Sequence, residues 1–503
     1  MHSMSGWFVL ILMPLFSVAS VTETDPLRIL VDRPPITLNP RQSLDLTGQR
    51  LGALLFLGLT RLDNRLQPVP GLAKRWRALE QGKTWEFEIQ KGLIDESGEP
   101  ITADQVAQCL ENYRGSKPVS NVGMSFRGWL ATEVVGTSTL RLRFASPEAY
   151  LPQNASLLRY FRQPGKTPCE EPNESLPLLA STGYRLKGGN WRSSALEQGW
   201  EIIPSDPQAL RIQFRVIRDE PTRILKLLAG EFDAAQNVLT LAKTRWIAGR
   251  KDAQFRLLKS EGVNLSYLAF NTRDPILKDS RVRRALAHAI DRPSVVRYRM
   301  LEMGSVATGV ISPLLPESTS HPYEFNLTLA GKLLDEAGFP VQASGIRFSL
   351  QYKTTPVREG FETALMIREM LSKIGVRLVL DVVEPGTFFA SIRKGSYQIF
   401  SSRFIGIADG SIFRLFAHSK ERRNTTGFKD AEIDAWIERA MSELDPKRRH
   451  ELLKKIQTRL YQELPLFPLW TWDNALLLKS GWSEVSLSLS GAYDPLLLIR
   501  RLR

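Results

Sequence analysis

The sequence predicts an α/β protein of about two or three domains, and three observations lead there. Residues 363–383 put Ile367, Leu371 and Ile374 on one helical stripe, stop at Gly375, and continue with Val376, Leu378, Leu380 and Val382 alternating as a strand does. Residues 85–89 alternate large and polar side chains, and Thr102-Ala-Asp-Gln105 then has the spacing of a capping box ahead of Val106, Cys109, Leu110 and Tyr113 at helical intervals. Finally, 503 residues with 43% hydrophobic and 24% charged content hold enough apolar side chain for several cores and lie far from the disordered regime.

Taken in order, the chain opens with an apolar run from Trp7 to Phe16 followed by Ser17-Val-Ala-Ser20, which reads as a secretory signal peptide over residues 1–20. The run is too short for the roughly 20 residues of a spanning helix. No Cys follows it, so no lipid anchor is expected, and the leading segment carries His2 but no Lys or Arg. The alternative is a buried N-terminal strand of a cytosolic protein. Residues 27–31 have the bulk and period of a strand, and Pro34, Pro35 and Pro40 make the following segment an extended loop. Proline and polar residues over 163–177 form a loop, after which Ser181-Thr-Gly-Tyr184 opens a series of strands through residue 217; this change of composition marks a domain crossing. Val282, Ala285, Leu286, Ala289 and Ile290 share one helical stripe, and Asp291-Arg-Pro293 restarts a helix with Asp as cap and Pro in its first turn. Ile433, Trp436, Ile437, Ala440 and Met441 form one helical face, and Leu453, Ile456, Leu460 and Leu464 another, ended by Pro465; two antiparallel helices are expected. Residues 475–478 and 496–499 read as closing strands.

The balance of 67 basic to 53 acidic residues gives a net charge of +14. The cations are dispersed, and no helix-turn-helix, zinc finger or aromatic RNA-recognition motif accompanies them, so nucleic acid is not an expected partner. A basic field steering anionic ligands, or an ordinary solvated basic surface, accounts for them. Cys109 and Cys169 either pair in an oxidising compartment or are inert buried thiols. No nucleophile elbow, zincin pair, Walker loop or dinucleotide fingerprint occurs. His450-Glu451 begins like a zincin motif, but Lys454 stands where the second ligand belongs. The histidines are scattered without ligand spacing, so no metal, no cofactor and no catalytic residue is expected. Trp470, Trp472 and Phe467, and Phe388, Phe389, Phe400 and Phe404 around Arg403, suggest binding surfaces, each of which is singly also compatible with core packing.

A collinear series of short motifs carries a resemblance: residues 27–31, Thr37-Leu-Asn-Pro40, Leu59-Thr-Arg-Leu62, Val69-Pro-Gly-Leu-Ala-Lys-Arg-Trp76, Thr84-Trp-Glu-Phe87, Pro100-Ile-Thr-Ala-Asp-Gln-Val106, Ser181-Thr-Gly-Tyr184, Leu268-Ala-Phe-Asn271, residues 282–291, 329–339 and 375–399, and 465–470. Together they resemble the extracellular solute-binding proteins of family 5, the oligopeptide-, dipeptide- and nickel-binding receptors of bacterial ABC importers. The resemblance implies a periplasmic-binding-protein-like type II (cluster C) fold: two lobes built from three domains around a ligand cleft. It places the first domain at residues 21–59, 181–268 and 474–503, an inserted second domain at 60–180 and a third at 269–473. It also implies a monomeric, non-catalytic periplasmic receptor that closes on a peptide or peptide-like solute and delivers it to a membrane permease.

Ligand-binding residues are carried over from the same resemblance. Ser43, Leu44, Asp45 and Leu46 form one stretch, and residues 402–413 the other, with Ser402, Arg403, Phe404, Gly406, Asp409 and Phe413. Gly406 stands where peptide-binding members carry the Asp that pairs with the ligand α-amine, and Asp409 at the later acidic position. Either Asp409 reaches in from a shifted loop, or the ligand lacks a free amino terminus. Arg403 favours an anionic group, or is a solvent-facing strand arginine. Arg403 and Asp409 are the expected polar anchors, and Phe404, Phe413 and Trp472 the expected walls. Two rivals keep different classes open: a sensor or scaffold of the same fold contacting membrane or anionic polymer, and a secreted hydrolase. A sugar-phosphate-sensing regulator is disfavoured, because a DNA-binding domain should stand where the signal peptide does.

Overall fold

The structure, a computed structural model, describes residues 25–43, 45–115, 126, 128–251 and 254–502. The expected signal peptide and Leu44 lie outside the described residues. Among these residues a mixed, eleven-stranded sheet dominates. From one edge it runs through Val376–Val382, Phe348–Thr354, Ile399–Phe404, Phe255–Phe270, Leu466–Lys479, Ala234–Gln236, Leu27–Val31, Ile212–Val216 and Gly199–Pro204 to Tyr184–Leu186, with Gly304–Val306 paired to Leu466–Lys479 beside this path. The expected α/β unit is present: the helix Arg358–Ser372 feeds Val376–Val382, which pairs in parallel with Phe348–Thr354, and Gly375 turns the chain at φ 75°. A second, four-stranded antiparallel sheet (Ala73–Leu79, Thr84–Ile89, Thr139–Phe144, Trp129–Val135) shares a core with the helix Ala103–Arg114. That helix begins with the anticipated capping box, Thr102 accepting from the Gln105 amide and the Gln105 side chain accepting from the Thr102 amide.

Asp291 caps the turn Arg292–Ser294, which runs into a π-helical turn Val295–Arg299, and Asp445 caps the helix Pro446–Glu463 that packs on Ala431–Ser442. Two expectations change. Residues 496–499 are not a strand; Asp494–Leu498 is a 3₁₀ turn opened by Pro495, and the apolar run reflects full burial of Leu496 and Ile499. Residues 475–478 are only the end of a strand 14 residues long. The cysteines, left open by sequence, are joined as a disulfide with Cα atoms 4.7 Å apart, tying the helix Ala103–Arg114 to the loop before residue 170.

Two long antiparallel strands, Phe255–Phe270 and Leu466–Lys479, connect the halves of the molecule. Phe255 and Leu476, Leu477 and Leu478 pack in cores with Leu27, Leu30 and Phe214 or Phe232, whereas Leu268, Phe270, Phe467 and Leu469 pack with Leu286, Leu350 and Ile367. The pairing register shifts between Ser260 and Asn264, between these two sets of contacts. Gly262 sits in this bulge, and a Cβ there would overlap the Trp472 carbonyl oxygen, so only glycine allows the strands to cross so closely. No described helix is long and apolar enough to cross a membrane.

Candidate functional site

A cavity of about 660 Å³ opens between the two sets of cores. One wall comes from the helix Leu46–Leu55 and residues 56–66, 148–159 and 488–494; the other from residues 403–426 with Tyr267, Ala269, Met441 and Leu466. Asp45 sets the first wall, because its carboxylate accepts from the amides of Gly48 at 2.7 Å and Ile36 at 3.1 Å and so starts the helix at the cavity edge. Beyond the cavity the walls meet in a polar seam. The Tyr150 hydroxyl donates to the Glu317 carboxylate at 3.1 Å, Arg449 Nε donates to Glu317 Oε1 at 3.0 Å and the Gly410 amide to Oε2 at 2.6 Å. The Arg449 guanidinium lies 5.0 Å over the Tyr150 ring, and the Ala149 amide donates to the Met441 carbonyl at 2.9 Å.

Leu46, Arg403, Phe404, Gly406 and Asp409 line this cavity. Ser43, Asp45, Ser402, Phe413 and Trp472 do not. Ser43 is buried behind the helix start, with no partner for its hydroxyl among the described residues, and Asp45 is spent on capping. Ser402 hydrogen-bonds the Tyr267 hydroxyl. Phe413 is fully buried, packed on Phe416 beneath the wall. The Trp472 indole donates to Ser266 Oγ at 2.8 Å, and its ring is covered by the Arg403 guanidinium at 4.3 Å. Arg403 also forms an ion pair with Glu359 at the start of the helix Arg358–Ser372, so its charge already has a partner within the chain. Asp409 accepts from the Ser411 amide at 2.9 Å, and burial, reinforced by nearby Glu317, pushes its carboxyl up to about 6.

Three charged residues of the wall went unnoticed in the sequence. Arg50 is 8% exposed, lies 5.1 Å over the Tyr493 ring, and has no carboxylate at ion-pair distance among the described residues. Arg159 donates to the Gln49 carbonyl at 3.2 Å and likewise lacks a carboxylate at ion-pair distance; burial lowers its pKa. Glu148 makes no side-chain hydrogen bond or ion pair among the described residues, and burial pushes its carboxyl up to about 7 against the attraction of Arg414. The two arginines each interrupt an apolar run, Leu46–Leu55 and residues 157–161, and that interruption was the available signal. Glu148 carried none. No group of three or more His, Cys, Asp or Glu among the described residues could hold a metal ion.

Residues 67–422 match the family described as "Bacterial extracellular solute-binding proteins, family 5 Middle". The chain is similar to the oligopeptide-binding protein OppA of Bacillus subtilis, 24% identical over 89% of this chain and 88% of that protein. It is also similar to the glutathione-binding protein GsiB of Escherichia coli, 23% identical over 86% of each. Among solved structures, NikA from Brucella suis in complex with Fe(III)-EDTA superposes with a TM-score of 0.82 at 21% identity, covering 95% of this chain and 100% of that one. AppA from Bacillus subtilis in complex with a nonapeptide superposes with a TM-score of 0.74 at 19% identity, over 95% and 100%.

Proposed function

This chain belongs to the bacterial extracellular solute-binding proteins of family 5 and has their periplasmic-binding-protein-like type II fold, and we propose that its cleft captures a peptide or peptide-like solute bearing an anionic group for delivery to the permease of an ABC importer. The observation that carries the anionic part is the pair Arg50, buried, and Arg159, half-buried, two guanidiniums lining the cavity without a carboxylate of the chain at ion-pair distance among the described residues. A buried cation is retained at a cost of several kcal/mol unless it is paired, and a ligand carboxylate supplies the missing partner with bidentate geometry. The cavity, at about 660 Å³, is of ligand-site size. The relatives OppA and GsiB are binding proteins by name, and we read this chain likewise as releasing its solute unchanged.

In this reading the chain works as an exported monomer in the periplasm. The bulge around Gly262 is the hinge on which the lobes of residues 21–268 with 474–503, and 269–473, rotate, and the Tyr150–Glu317–Arg449 seam forms on closure. A sensor or scaffold reading leaves the unpaired cleft arginines unexplained. Native mass spectrometry of protein purified from its own host tests the proposal: co-purified anionic cargo is expected, and its re-addition to stripped protein should raise thermal stability by mass action. Absence of cargo, with no thermal shift from any di- to hexapeptide or chelate pool, overturns it.

A further inference from the structure

The strand Val376–Val382 forms one edge of the eleven-stranded sheet, paired with Phe348–Thr354 and with no other described strand. That pairing uses alternate residues. The Arg347 amide donates to the Gly375 carbonyl at 2.7 Å and the Val383 amide to the Thr354 carbonyl at 3.0 Å, so the odd-numbered residues turn their backbone groups inward. Those of Val376, Leu378, Leu380 and Val382 point outward, with no partner among the described residues, and such an edge is a template for another strand. Val376 and Leu378 are buried in one core with Ile367 and Leu371 of the helix Arg358–Ser372, while Arg377 and Val379 on the opposite face are exposed, Val379 by 51%. The sequence Val-Arg-Leu-Val-Leu-Asp-Val reads the same from both ends, except that Arg377 and Asp381 exchange places. The other described sheet edges lack this property. Tyr184–Leu186 has three residues; about their centres, Ala73–Leu79 would set Arg75 against Arg77, and Trp129–Val135 would set Ala131 against Glu133.

We propose that this edge pairs, antiparallel and two-fold about Val379, with the same strand of a second copy of the chain, joining two sheets into one. In that register Val376 faces Val382, Leu378 faces Leu380, and Arg377 faces Asp381, each of these pairs occurring twice by symmetry. The backbone agrees with the side chains. Outward-facing residues meet one another and exchange hydrogen bonds, and Arg377 with Asp381 falls in the non-hydrogen-bonded pair, where side chains lie closer. A shift by one residue sets outward-facing backbone against inward-facing backbone, and a shift by two parts both charge pairs, so the register is specified. Asp381 holds Lys353 through Oδ2 and Arg377 holds Ser349 through Nε, which leaves Oδ1 and the terminal guanidinium nitrogens for the second copy. At about 3.3 Å per residue the contact is about 23 Å long and one strand deep, well short of the roughly 1,200 Å² at which stable interfaces begin. Pairing is therefore reversible, and the single chain remains the solute-binding unit. No residue of Val376–Val382 lines the cleft cavity, so the pairing is independent of what the cleft holds.

Sedimentation velocity of the full-length protein, from about 10 µM to about 1 mM, is expected to show a reversible equilibrium between one chain and two, at the weak end of interface affinities. Val379→Lys, at an exposed position, sets two ammoniums face to face, and Arg377→Asp sets like charges opposite Asp381. Each should abolish the dimer, and a thermal melt of each variant confirms that it is folded. Cross-linking reads the register. Cys109 and Cys169 are joined and the chain has no third cysteine, so a thiol introduced by Val379→Cys or Arg377→Cys reports alone. In this register the two copies of position 379 lie about 4.5 Å apart, inside disulfide range, and the two copies of position 377 roughly 14 Å apart, outside it. Val379→Cys should therefore form the intermolecular disulfide about ten-fold faster or more than Arg377→Cys. A mass of one chain at every concentration, a dimer that survives Val379→Lys or Arg377→Asp, or equal cross-linking at the two positions overturns the pairing.

Discussion

Glu148→Gln should stabilise the protein in alkaline solution and leave its stability unchanged in acid. The Glu148 carboxyl ionises near 4.5 in the unfolded chain and at about 7 in the fold, where burial outweighs the attraction of Arg414. The unfolded chain therefore loses its proton first as pH rises, and stability falls between those two values. At about 1.4 kcal/mol per pH unit, the full penalty above pH 7 is about 3 kcal/mol, and it vanishes below 4.5. Asp409, raised from 3.8 to about 6, imposes a penalty of the same sign in its own window, but it is present in both proteins and cancels in the comparison. Urea unfolding of both ligand-free proteins from pH 4 to pH 8.5 measures the difference: near zero at the acid end, rising to about 3 kcal/mol in favour of the variant at the alkaline end. A difference that is constant with pH, or that favours wild type above pH 7, refutes the claim that an unpaired Glu148 is enclosed in the cleft.

Unreduced, denatured protein should show no titratable thiol, and Cys109→Ser with Cys169→Ser should lower unfolding free energy by about 4 kcal/mol for a sequence separation of 60; free thiols in the unreduced protein refute the link. Gly262→Ala should disturb the strand crossing, because its Cβ meets the Trp472 carbonyl rather than a movable side chain; the expectation is a loss of about 1–3 kcal/mol and, by small-angle scattering, a ligand-dependent compaction smaller than in wild type. Tyr150→Phe removes only the hydroxyl that reaches Glu317, so stability of the ligand-free protein should change little, while affinity for the cargo identified by mass spectrometry should fall by about five- to ten-fold, the worth of one hydrogen bond; unchanged affinity would separate the seam from closure.

Local signals in the sequence carried the helices well, since a cap and a stripe lie within a few residues of each other: Thr102 with Gln105, Asp291 with Pro293, Gly375 after Ile374. The long strands were harder. Leu466–Lys479 is buried along nearly its whole length, so it lacks the alternation that announces a strand with one wet face, and only its last residues read as one. The site divides in the same way. Leu46, Phe404, Gly406, Asp409 and Arg403 reach the cavity, yet the sequence could not show that Glu359, 44 residues away, occupies Arg403. An aromatic residue announces buried area without announcing on which side of a sheet it is buried, and so Phe413 and Trp472 looked like walls. Cysteine spacing was equally silent, because pairing depends on a Cα separation that only the fold sets.

How this chain treats buried charge elsewhere gives the cleft its meaning. Arg292 is nearly inaccessible and donates to the carbonyls of Ala307, Pro468 and Tyr323 at 2.6 to 2.7 Å. Arg283 reaches four carbonyls, those of Glu463, Leu464, Leu277 and Lys278, and Asp95 holds Arg162 and Ser97. These groups are enclosed and satisfied, as the interior of a stable fold requires. Among the described residues, by contrast, Arg50 and Arg159 have one carbonyl and one tyrosine between them, and Glu148 has no side-chain hydrogen bond or ion pair, only the more distant attraction of Arg414. If these three were structural, the fold would gain by replacing them with apolar side chains of similar volume. Under the receptor reading proposed above, a solute that pairs with these groups would remove their cost, and a protein that is least stable where its ligand binds has reason to close on that ligand.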